Sequence, residues 1–112
     1  MIMSLNDWVV AIHDNAKKHG WWDEDRAFGE VIALCHSELS EALEAYRDDE
    51  DLFWIDDDRG GKPEGVAVEM MDCVIRVLDW FGRHPEIDAE KVLAVKHAYN
   101  QGRPYKHGGK KI

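Results

Sequence analysis

The chain has 112 residues, 33% of them charged and 45% hydrophobic, with a formal net charge of −9. That length holds one domain with one core, and the composition is that of a folded chain rather than a disordered one. No apolar run approaches the ~20 residues that a membrane span needs, and so acidic a body repels nucleic-acid polymers.

The charge is uneven. Residues 96–112 carry five Lys/Arg and no acid, whereas residues 1–95 carry nine against 23 acids. Small phosphates held through a metal remain compatible with this distribution. The opening MIMSLNDWVV has no basic leader ahead of an apolar stretch, and Cys35 and Cys73 both sit inside apolar helical patterns. The expectation is a reducing, cytoplasmic location without a disulfide framework.

A first helix is predicted over 4–19. Ser4 followed by Asp7 is a capping-box-like start, Leu5, Trp8/Val9, Ile12 and Ala16 form an inward stripe, and Gly20 ends it. Trp8 is expected in the core. Trp21 and Trp22 follow at once as candidates for stacking on a base, or else as core plugs or subunit contacts. A second helix is predicted over 26–48, then an acidic loop, 48–64, with an aromatic centre; loops of this length are usually functional or mobile. A third helix spans 65–81, stopped by Gly82 and Pro85, and a fourth spans 88–101 with Asp88 as its cap. The tail 102–112 is basic and irregular. No stretch alternates with a period of two, so no sheet is expected. The fold class that follows is all-α, an antiparallel four-helix bundle forming one domain over 1–112. The third helix is apolar nearly all round, which suits a helix that is either central or shared with another subunit, and a homo-oligomer is expected.

The acids are oddly placed. On the wheel of the second helix Glu38 falls inside the apolar arc, Glu41 at its rim and Glu44 outside. On the third helix Glu69, Asp72, Arg76 and Asp79 share one narrow wedge. Glu38 and Glu41, like Glu69 and Asp72, are three residues apart and share a face. Should the two faces meet, four carboxylates converge, and a hard cation such as Mg²⁺ or Mn²⁺ is the natural compensation. The other reading is ion pairing within the wedge, with Arg76 orienting Asp72 or Asp79. A di-iron site would want Glu-x-x-His and zinc would want Cys/His clusters; neither pattern is present.

Glu38-x-x-Glu41 and Glu69-x-x-Asp72, together with HGWWDEDRAFGEVIALCHSELSEALEAYR (19–47), KPEGVAVEMMDCVIRVLD (62–79) and NQGRPYKHGGKKI (100–112), resemble the MazG-like nucleotide pyrophosphohydrolases of the all-α NTP pyrophosphatase superfamily. The resemblance covers nearly the whole chain, with Ser37 standing where the family pattern often has a further acid. It implies a Mg²⁺-dependent hydrolase that cleaves nucleoside triphosphates, often deoxy forms, to monophosphate and pyrophosphate. It also implies Glu38, Glu41, Glu69 and Asp72 as metal ligands, and a homodimer or homotetramer whose subunits build the active sites together. Glu41, at the rim, is the candidate to take a proton from the attacking water. Lys96, Asn100 and Arg103 recur at roughly helical spacing and Lys106 follows them; the resemblance supports these four as phosphate contacts. Two other functions stand beside this one. The chain could be a non-catalytic helical interaction module, or a pyrophosphohydrolase of a specialised nucleotide such as phosphoribosyl-ATP.

Overall fold

Ser4 starts the first helix, α1 (Leu5–Lys18), with a reciprocal capping box. Its hydroxyl accepts from the Asp7 amide at 3.1 Å, and the Asp7 carboxylate accepts from the Ser4 amide at 2.9 Å. The computed structural model describes residues 2–111, His107 by its backbone alone. After a tight turn through Gly20 come α2 (Phe28–Arg47), a hairpin of β1 (Trp54–Asp56) and β2 (Lys62–Glu64), and α3 (Val66–Arg83). The chain continues through α4 (Ala89–Gln101) and a short turn of helix, α5 (Lys106–Gly109). It is therefore mostly helical, with one small two-stranded sheet.

That sheet corrects the expectation of none. Trp54 pairs with Glu64, Ile55 with Pro63 and Asp56 with Lys62, antiparallel. Three residues per strand are too few to show alternation, and Gly60 and Gly61, both at positive φ, close the connection. The hairpin delivers the chain to Gly65, whose φ of +111° and close approach to the Leu52 and Asp51 carbonyls leave no room for a Cβ. Ala67 then donates to the Leu52 carbonyl at 2.9 Å, fixing where α3 begins.

α3 is the hub, packing against α2 and α1, while α4 packs on α1. α2 and α3 run antiparallel, since Glu38 meets Arg76 where Glu41 meets Glu69. α3 continues through Gly82, which was expected to stop it. A side chain there would overlap His13, so the glycine serves the close approach of α1 to α3 rather than a helix end. α4 is capped by Asp88, which accepts from the Lys91 amide, and is tied to α1 by Asn6 bonds to Asp88 and Glu90. Beyond Ala89 every α4 residue is exposed.

The core is thin. Its buried apolar residues are Val9, Val31, Cys35, Ala42, Ala45 and Ala89, mostly small, while Leu39, Leu43, Met70, Met71 and Val74 stand 42–54% exposed. The chain leaves 8790 Å² accessible, against about 6,300 Å² for a folded monomer of 12.9 kDa. Its radius of gyration is 16.7 Å, against about 13 Å for a self-contained domain of this length. One copy alone therefore exposes a surplus of about 2,500 Å². Among the described residues no helix is long and apolar enough to cross a membrane.

Candidate metal centre

Glu38 is the buried acid at the α2–α3 interface, 8% exposed. Glu38, Glu41 and Glu69 each offer a carboxylate oxygen, and these oxygens all lie within 4.8 Å of one another. The i, i+3 spacing on α2 places the first two on one face, and the antiparallel packing of α3 brings Glu69 against them. Glu69 pays for this in proton affinity: its carboxyl is pushed up to about 7, first by burial and then by hydrogen bonding to Glu41 and the charge there. Asp72 is also raised, by burial and then by Glu38, with Arg76 opposing. Asp72 lies outside the three-oxygen group but lines a cleft beside Glu38.

Glu38 Oε1 accepts from Arg76 Nε and lies 3.0 Å from both Nε and Nη2. This corrects the expected pairing of Arg76 with Asp72 or Asp79; the partner is on α2, and a single-helix wheel does not see it. Among the described residues Glu38 Oε2 is buried without any hydrogen-bond partner. A buried carboxylate oxygen left bare beside two more carboxylates is an arrangement that a cation completes. Oxygen-only donors fit a hard ion of the Mg²⁺ or Mn²⁺ kind.

The cleft, of about 530 Å³, opens between α1, the turn after it, α2 and α3. Trp8, Trp21 and Trp22 make its aromatic wall; Glu38, Asp72 and Arg76 make its polar end. Trp8 is thus a half-exposed cleft residue and not the core residue expected. Trp21 is 52% exposed, with the Arg26 guanidinium 5.1 Å from its ring centre. Trp22 is engaged differently. Its Nε1 donates to both Asp79 oxygens at 3.0 Å, while His13 Nδ1 donates to Asp79 Oδ1 at 2.7 Å. The His13 and Trp22 rings meet edge to face at 5.5 Å. This network, which no single-helix pattern signals, ties α1, the turn and α3 together at the cleft wall, which Trp22 and Asp79 both line.

The basic series lies elsewhere in the single chain. Lys96 and Arg103 flank the Tyr99 ring, at 5.0 and 5.8 Å from its centre, and Arg103 lines a shallow depression with Gly102 and Pro104. Lys96, Asn100, Arg103 and Lys106 are all absent from the cleft's lining. Compared with protein-family models, curated proteins and solved structures, the chain finds no match.

Proposed function

We propose that the chain is a Mg²⁺-dependent nucleotide pyrophosphohydrolase of the MazG-like kind, acting on (deoxy)nucleoside triphosphates. The observation that carries this reading is Glu38: it has a bare, buried Oε2, and the residue belongs both to the three-carboxylate group and to the polar end of an aromatic-walled cleft. An acidic centre alone repels phosphates; divalent ions held by Glu38, Glu41, Glu69 and Asp72 would offer phosphate oxygens a direct cationic partner. Mn²⁺ serves the same donor set. Bound there, the cation supplies charge neutralisation for the phosphates and acidifies a water molecule.

The chain's own residues do the rest. Trp21, half exposed in the cleft wall, is the candidate to stack on a base, and Trp22, anchored on Asp79, extends that wall. Glu41 is exposed at the rim of the group and takes the proton as water adds across the α–β anhydride, giving nucleoside monophosphate and pyrophosphate. Lys96, Asn100, Arg103 and Lys106 stabilise the departing pyrophosphate from a second copy of the chain. The surplus surface supports that assembly: about 800 Å² per partner suffices for a stable dimer, and the single chain exposes far more than this in excess.

Glu69→Ala is the direct test. Hydrolysis is lost, by more than the 10- to 100-fold that follows removal of an outer-sphere metal partner (~10–100), while the helical fold persists. Undiminished hydrolysis in that variant contradicts the reading. Loss of assembly without any hydrolysis to lose favours the helical interaction module. Turnover of phosphoribosyl-ATP alone favours the specialised enzyme.

A further inference from the structure

Arg76 closes on half a carboxylate. An arginine fork facing a carboxylate ordinarily takes both oxygens, one to each N–H. Here Nε and Nη2 both lie 3.0 Å from Glu38 Oε1, and Oε2, in a side chain that is 10% exposed, is left without a partner. The guanidinium is braced from another side by Trp21, whose ring centre lies 5.9 Å from Arg76 Cζ. Its direction is therefore set by two elements outside α3.

We infer that Arg76 is a positioning residue that fixes the rotation of the Glu38 carboxylate, occupying Oε1 so that Oε2 is presented to the oxygens of Glu41 and Glu69. The inference rests on the reading of that group as a cation site, and it assigns Arg76 a role toward the ion without contact to it. Two effects of the side chain oppose each other. As a positive charge beside the centre, Arg76 repels an incoming cation, so its neutralisation alone would tighten binding. As a fork that holds one oxygen, it pre-orients a ligand, so its loss would weaken binding. Lysine separates the two, because it keeps the charge and discards the planar fork.

The experiment is a Mn²⁺ titration of the full-length chain, read by the electron paramagnetic resonance signal of free Mn²⁺, on the native protein, Arg76→Lys and Arg76→Gln. Circular dichroism at the titration temperature checks each fold. The expected result is Mn²⁺ binding by the native chain and a loss of affinity of about tenfold or more in Arg76→Lys, in the range that outer-sphere ligand partners bring. Arg76→Gln is expected to weaken binding as well; should it not fold, with Glu38 left uncompensated, Arg76→Lys decides alone. Native affinity in Arg76→Lys, or tighter binding in Arg76→Gln, overturns the positioning role and leaves Arg76 as a charge only. A native chain that binds no Mn²⁺ overturns the cation site itself, and the role of Arg76 with it.

Discussion

The carboxyl of Glu69 on α3 lies against those of Glu38 and Glu41 on α2, with an oxygen of each within 4.8 Å of the others, and burial beside these carboxylates pushes the Glu69 carboxyl up to about 7. In an unfolded chain the same carboxyl ionises near 4.5. The folded chain thus binds more protons than the unfolded one between those values, and its stability falls as pH rises through that window. Asp72, raised in the same direction, adds to the trend. Melting curves without metal are expected to show a lower Tm at pH 8 than at pH 5.5, a difference that shrinks in Glu69→Gln. Mg²⁺ is expected to raise Tm more at pH 8, because its ligands must be deprotonated. An equal Mg²⁺ effect at both values would break the link between this proton and the cation.

Asp79 accepts from both Trp22 and His13, so Asp79→Ala leaves the buried His13 and the half-buried Trp22 without their partner. A loss of about 1–3 kcal/mol per unsatisfied group is expected, measured by urea denaturation. Mn²⁺ affinity is expected to stay at the native level, because among the described residues no hydrogen bond joins His13, Trp22 or Asp79 to Glu38. A selective loss of metal binding in this variant would place Asp79 in the centre rather than in the cleft wall alone.

Val74 is 44% exposed on an α3 face that also shows Met70 and Met71. Sedimentation at micromolar concentration is expected to give a mass of at least twice 12.9 kDa. Val74→Glu is expected to return it toward the single-chain value, with helical content kept. A native monomer would remove the second copy from the mechanism and strand Lys96 and Arg103 away from the acids.

Arg103→Ala and Lys96→Ala follow from the same geometry. Removing one charge-assisted phosphate contact is expected to lower kcat/KM by about 10- to 100-fold, the equivalent of ~1.5–3 kcal/mol, without change in Mn²⁺ affinity. Unaltered steady-state kinetics in both variants would return α4 to a packing role.

Much of this was legible from local signals. The Ser4–Asp7 box, the Asp88 cap and the 3.6-residue periodicity place all four main helices to within a few residues, and the wheel singles out Glu38 as an acid on the wrong face. What escaped depends on two elements at once. A single-helix wheel pairs Arg76 with Asp72 or Asp79 on its own helix, whereas Glu38 reaches it across the α2–α3 interface. Gly82 reads as a stop only until His13 is packed on it. The hairpin at 54–64 is too short for alternation to register, and Trp8, on an apolar stripe, faces a cleft that only tertiary packing creates.

Whether the carboxylate group serves phosphoanhydride hydrolysis is decided by pyrophosphate release from a panel of NTPs and dNTPs, with Mg²⁺ and with EDTA. Release is expected to require Mg²⁺, to stop with EDTA and to yield the nucleoside monophosphate in equal amount. A folded, Mg²⁺-binding protein that releases pyrophosphate from none of them would contradict that role.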